Sequence, residues 1–227
     1  MRFHQPEIFK KYNIMGFFSE RIPKILVEEG LKKKIYFPKQ IHSDRVQILN
    51  GLKLCSVEEA DGVISLERGV LIGIQSADCV PILIGDKKGR VISAVHAGWR
   101  GTLKGILYKT LKKIISLKIH PQDIVISFGP HIQSLCYKVG EEVWGQLDQP
   151  FRREPFLITK GGFYYLDLSA LNKYQALLCG IPEENLWISL ECTHCEDKYH
   201  SFRRDKNYTF TQIALIGHEP YVPWDLL

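Results

Sequence analysis

Three side chains able to ligate a metal sit where apolar runs end or break. His42 closes "KQIH", Cys79 interrupts "GVLIGIQSADCVPILIGD", and His96 closes "VISAVH". Imidazole nitrogen together with thiolate sulfur suits zinc or copper. Three protein ligands and an open fourth position is the arrangement of a catalytic zinc, which holds water or substrate there. The sequence distances among the three do not force them together, but strand ends in one sheet can converge. Spacing alone leaves another assignment open, with Cys79 as a small core residue and the histidines bonded to backbone carbonyls. It also leaves open a Cys79 nucleophile with His96 as its base, a pair that has no use for His42. Asp78 reads either as a buried carboxylate paired with an arginine such as Arg100, or as one that orients a ligand histidine.

The elements that must position these residues are mostly strands. Stretches 12–20, 34–42 and 45–50 read as strands, the last two separated by a polar turn at Ser43-Asp44. Residues 61–75 read as a hairpin turning at Glu67-Arg68-Gly69, and 80–96 as a second turning at Lys87-Lys88-Gly89. Their nearly continuous Val- and Ile-rich runs predict sheets covered on both faces. After "HAGWRG" the period changes. Leu103, Ile106, Leu107, Leu111, Ile114 and Ile115 recur at helical spacing, predicting an amphipathic helix that ends before His120-Pro121. Residues 123–130 predict a strand and 139–147 a short helix. Residues 163–182 predict a strand and then a helix, capped by Asp167 or Ser169 and stopped at Gly180. Residues 185–193 and 208–217 predict two more strands. Strands outnumber helices and join mostly by hairpins. The expectation is a single α+β catalytic domain over 1–227, with an antiparallel or mixed β-sheet core flanked by helices.

Composition narrows the function classes. The chain of 227 residues is 45% hydrophobic and 24% charged, which argues against disorder. No apolar run approaches the roughly 18 residues that span a bilayer, and the first residues lack the apolar core of a signal peptide. A cytoplasmic location is expected, with the six cysteines reduced and some of them serving as ligands or nucleophiles. The net charge of +5 is diffuse and favours an anionic substrate. "LKKK" at 31–34 and "LKK" at 111–113 read as solvated faces. No nucleic-acid motif is present, and no nucleic acid, membrane or protein partner is predicted.

Seven stretches occur in order: "QIH" (40–42), "ADG" (60–62), "SADCVPI" (76–82), "HAGWRG" (96–101), "GPHIQSLCYKVG" (129–140), "CT" (192–193) and "SFRRD" (201–205). Together they resemble the bacterial family once called multicopper polyphenol oxidases or laccase-domain proteins and now described as purine nucleoside phosphorylases with adenosine deaminase activity. The resemblance runs from about residue 14 to 217. It implies that His42, Cys79 and His96 bind one catalytic metal, zinc with copper as the alternative. It implies an α/β fold with a layered sheet core, shared with cysteine-hydrolase-like proteins. It also implies phosphorolysis of adenosine, inosine, guanosine and methylthioadenosine, and hydrolytic deamination of adenosine. Arg203, Arg100 and Arg204 are then candidates to bind phosphate, because guanidinium matches phosphate oxygens bidentately. The sequence departs from the family at Glu20, where an arginine is usual, and at Thr209-Phe210-Thr211, where "TGR" is usual. A long segment after the first of these is nearly absent.

Two other functions compete. A thiol hydrolase or amidase, acting in cell-wall precursor editing, would use Cys79 and His96 alone. A multicopper oxidase would need many more histidines, typically in His-x-His pairs, and this chain has eight histidines and no such pair. "CTHCE" at 192–196 holds a Cys-x-x-Cys pair, but a zinc ribbon needs a second pair that the sequence lacks. Cys136 reads as a packing residue, and Trp99 and "FYY" at 163–165 as core.

Overall fold

The computed structural model describes residues 2–33, 35–49 and 58–217. Two sheets pack face to face, and helices cover their outer faces. The first sheet is centred on Phe210–Gly217, which pairs antiparallel with Met15–Ser19, Ile22–Pro23 and Leu71–Ser76. Phe3–His4 extends it beyond Met15–Ser19. The second sheet runs Leu186–Ile188, Ile124–Phe128, Val80–Asp86, Ile92–Ala97, Gly62–Ser65, Val46–Leu49. Its two edge strands lie parallel to their neighbours and its inner pairs are antiparallel, so it is mixed. A small sheet of Lys138–Val139, Phe163–Leu166 and Leu157–Lys160 completes the β structure among the described residues.

Successive side chains of a strand point to opposite faces, and both faces of the second sheet are covered. Val80, Ile82 and Ile84 pack against Ile106, Leu107, Leu111 and Ile114 of the helix Ile106–Ser116. Leu83, between them, packs with Phe18, Ile72, Ile74, Ala214 and Ile216 of the first sheet. A strand buried on both sides has to be apolar at every position, which accounts for the unbroken run. On the far face of the first sheet, Ile213 and Leu215 meet Val27 of the helix Lys24–Glu29.

The 80–96 hairpin forms as expected, and Asp167 caps Leu168–Leu178 by accepting the Ala170 N–H at 2.8 Å. Five expectations change. The 61–75 stretch is no hairpin: Gly62–Ser65 lies in the second sheet and Leu71–Ser76 in the first, so its turn carries the chain between layers. Residues 35–42 form only isolated bridges, Tyr36 to Ile72 and Lys39 to Glu59, because Pro38 has no N–H to give a ladder. The predicted helix is two, Trp99–Leu103 and Ile106–Ser116, broken where Gly105 takes φ 77°. The 185–193 strand stops at Ile188, beyond which Leu190 is 89% exposed. Phe163, expected in the core, is exposed on the small sheet. Cys55 and residue 50 lie outside the described residues. No helix among the described residues is long and apolar enough to cross a membrane.

Candidate metal centre

Strand register assembles the site. Val80 pairs with Ala97 and Pro81 with His96 across the antiparallel hairpin. Cys79 therefore lies opposite Gly98, one step beyond the last pair. The chain reaches Cys79 by crossing from the first sheet to the second through residues 77–79. Asp78 makes that crossing with φ 82°, and the Ser76 hydroxyl donates to the Cys79 carbonyl at 2.6 Å. His42 also sits in the left-handed region, at φ 57°. Such conformations cost about 1–3 kcal/mol each in non-glycine residues and persist where the surroundings hold them.

Asp61 does the holding at His42. Its carboxylate, fully buried, accepts the backbone N–H groups of Ile41, His42 and Ser43 at 3.2, 3.0 and 2.6 Å, and the Ser43 hydroxyl at 2.7 Å. The same carboxylate lies 2.9 Å from Nδ1 of His96. Nδ1–H of His96 donates to Asp61, which leaves Nε2 free to bind a metal. One carboxylate thus sets the loop that carries the first histidine and the ring of the second.

The ligand atoms of His42, Cys79 and His96 all lie within 4.8 Å of one another. The two imidazoles meet edge to face, with centroids 4.8 Å apart. His96 is buried, Cys79 half-buried and His42 exposed, so the group opens to solvent on one side. A Cβ on Gly98 would lie 3.0 Å from the Cys79 sulfur and 3.3 Å from Cδ2 of His42. The glycine keeps the space between the donors clear. Burial pushes the Cys79 thiol up, but the His96 charge and hydrogen bonds from both histidines outweigh it and bring the group down to about 6. Burial lowers His96, while the Cys79 thiolate and Asp61 raise it to about 10. A thiolate facing two imidazoles, one side open and the space between them empty of side chains, fits a tetrahedral zinc or copper ion with a free fourth position.

The other residues singled out in the sequence divide. Asp78 neither pairs with Arg100 nor orients a histidine. Its carboxylate accepts the Thr193 hydroxyl at 2.7 Å, the Ser201 hydroxyl at 3.0 Å and the Arg203 N–H at 2.7 Å. It ties the sheet crossing to the C-terminal segment, and the orienting role falls to Asp61. Arg203 lies over the Tyr137 ring at 5.1 Å and donates from Nη1 to the Lys138 carbonyl. Arg100 is exposed and lies over Trp99 at 4.3 Å. Burial and then the Cys79 charge raise the Tyr137 hydroxyl, while Arg203 and Arg100 lower it, so both cations and the thiolate act at one phenol. Arg204 is turned elsewhere. Its three nitrogens donate to Asp205 and to the carbonyls of Thr193, His194 and Tyr199. Sequence reasoning missed Asp61 and Gly98. Both stand inside quoted motifs, "ADG" and "HAGWRG", but nothing in their local pattern marks a role at the centre.

A family model described as multi-copper polyphenol oxidoreductase laccase matches residues 20–219, and the chain belongs to that family. Among its relatives, purine nucleoside phosphorylase YlmD of Geobacillus stearothermophilus is 36% identical over 172 residues, 71% of this chain and 61% of that protein. A purine nucleoside phosphorylase of Aquifex aeolicus is 37% identical over 180 residues, 77% of this chain and 79% of its own. Adenosine deaminase RL5, from an unknown prokaryotic organism, is 29% identical over 198 residues, 79% of this chain and 74% of that one. In the Geobacillus relative and one from Deinococcus radiodurans, the match spans only 61% of the relative's length. The crystal structure of YlmD from Geobacillus stearothermophilus aligns with a TM-score of 0.76 at 30% identity, over 87% of this chain and 78% of that one.

Proposed function

We propose that this chain is a metal-dependent purine nucleoside phosphorylase with adenosine deaminase activity, working as one catalytic domain. Its substrates are adenosine, inosine, guanosine and methylthioadenosine, with phosphate as the second reactant. The observation that carries this reading is the His42, Cys79 and His96 group with its solvent-facing side. It stands in a chain whose relatives bear those two activity names. Zinc is the expected ion, with copper as the alternative that the family description keeps in view.

When bound, the ion supplies Lewis acidity to an oxygen at its fourth position. The protein's own residues do the rest. Asp61 fixes the backbone that carries His42 and the ring of His96 before any ligand arrives. Cys79 joins them as the thiolate, and the proton released on binding is the one His96 carries. Arg203 and Arg100 take the phosphate, and Arg203 is held in register with Cys79 through its N–H on Asp78. In phosphorolysis they aim a phosphate oxygen at ribose C1′ and offset its charge while the glycosidic bond breaks. In deamination, water adds at purine C6 and ammonia leaves.

The test joins metal content to turnover, in wild type and Cys79→Ala purified without added metal. Wild type is expected to carry zinc at the His42, Cys79 and His96 group and to release adenine from adenosine only with phosphate. The variant is expected to lose one equivalent of metal relative to wild type, and both activities. A wild type without metal or nucleoside turnover, but with a reactive Cys79, would overturn the reading.

One geometric feature favours a second reading, a thiol hydrolase or amidase active on cell-wall precursors. Cys79, held at about 6 beside an imidazole that Asp61 orients, is the form of an activated thiolate nucleophile. A fold shared with cysteine-hydrolase-like proteins would suit it, and a cytoplasmic location would keep the thiol reduced in either case. His42→Ala separates the two: a hydrolase keeps its activity, and the metal enzyme does not.

A further inference from the structure

"CTHCE" lacks a second Cys-x-x-Cys pair in the sequence, but the fold brings a third thiol to it. Cys136, in the short turn Ser134–Cys136, has its Sγ 3.3 Å from that of Cys195. The ligand atoms of Cys136, His194 and Cys195 all lie within 4.8 Å of one another. Cys192 adjoins them, its thiol interacting with those of Cys136 and Cys195. Its sulfur accepts the Gln133 N–H at 3.4 Å, and the N–H groups of His194 and Cys195 also act on it. We propose that Cys136, Cys192, His194 and Cys195 form a second metal site, a closed zinc site of three thiolates and one imidazole, separate from His42, Cys79 and His96.

The Cys136–Cys195 separation of 3.3 Å is close to what that set needs, and Cys192 is the neighbouring thiol that would close in on the ion. Zn–S bonds of about 2.3 Å in a tetrahedron place neighbouring sulfurs roughly 3.8 Å apart. A disulfide would need two thiols at about 2.05 Å, and would leave the third thiol and the imidazole without a role. Cys136, Cys192 and Cys195 are all free thiols. Backbone N–H groups aimed at a sulfur are the outer contacts that hold a thiolate ligand in place. Uptake is balanced without redox chemistry. Each thiol releases its proton to solvent as its sulfur takes the ion, and His194 binds as the neutral ring. Cys195 is exposed, which leaves a way in.

The ion would join two segments that both grip the residue before Cys79. Ile132 donates its N–H to the Asp78 carbonyl at 3.0 Å, and Thr193 its hydroxyl to the Asp78 carboxylate at 2.7 Å. His131 and Cys192 are already bridged by backbone pairing. The site therefore positions the sheet crossing. This inference does not depend on the nucleoside reading.

Metal-free Cys79→Ala, which lacks a ligand of the first centre, is titrated with Co(II) in reducing buffer. One equivalent should bind, with strong near-ultraviolet sulfur-to-cobalt absorption. Adding Cys136→Ser and Cys195→Ser should abolish that absorption, with far-UV circular dichroism checking the fold. Should that variant not fold, His194→Gln in the Cys79→Ala background must weaken cobalt binding at least tenfold. No cobalt uptake by Cys79→Ala overturns the proposal. So does an unchanged spectrum in the serine variant, unchanged cobalt affinity in the glutamine variant, or a Cys136–Cys195 disulfide in place of uptake.

Discussion

Asp61 and Gly98 shape the centre from beside the three proposed donors. Asp61→Asn keeps the size of the side chain but removes the charge and one acceptor oxygen. The amide NH2 would then face N–H donors of the 41–43 loop or of His96. Zinc affinity should fall about 10- to 100-fold, read by competition with a chromogenic chelator. Gly98→Ala is the sharper probe, because its methyl would intrude between sulfur and imidazole at 3.0 and 3.3 Å. Zinc content should drop while far-UV circular dichroism stays the same. Retention of full metal content by Gly98→Ala would show that the space between the donors is not where the ion sits. The three proposed ligands were legible as candidates from histidine and cysteine at strand ends, and as one set only through the family resemblance. Asp61 was not: a carboxylate becomes an orienting group only through what folds over it, and here those are a loop upstream and a strand far downstream.

At the scale of elements, local patterning spoke for hairpin and cap and was silent on layer. The 80–96 stretch announces its own partner through a short polar turn. The 61–75 stretch has the same look, yet its halves belong to different sheets. Apolar alternation states that a strand is buried and leaves open against which neighbour. The turn of the true hairpin carries its own electrostatics. Asp86, its side chain wholly buried, accepts Arg90 at 2.8 and 2.7 Å, and Arg90 also reaches Asp123 at 2.7 Å. Burial pushes the Asp86 carboxyl up, but Arg90 outweighs it and holds the group below its ordinary value. The unfolded chain then binds the proton more readily than the native one. Asp86 stabilises the fold at pH above its unfolded value of about 4, and that contribution is lost as the pH falls below it. Urea midpoints of wild type and Asp86→Asn should differ most at neutral pH and converge toward pH 3. A gap that widens on acidification would reverse the assignment.

Across the whole molecule, the three proposed metal ligands come from separate passages of the chain. His42 precedes the edge strand Val46–Leu49, Cys79 lies on the crossing between layers, and His96 ends an inner strand. None of the three can be in place until both sheets and their interface have formed, so an ion bound there reports on global folding. Binding that the unfolded chain lacks stabilises by about 2.7 kcal/mol at a free metal concentration a hundredfold above the dissociation constant. For a chain of this size that corresponds to a rise in Tm of about 5–10 °C. Thermal unfolding followed with zinc and with chelator should show that rise in wild type. In Cys79→Ala the part contributed by the first centre should vanish, and any remainder should go with Cys136→Ser and Cys195→Ser. A Tm indifferent to zinc in wild type would mean that the three passages do not close on one ion. An undiminished shift in Cys79→Ala would mean that all of the stabilising metal sits at the thiol cluster, and that the sheet crossing is held from its far side.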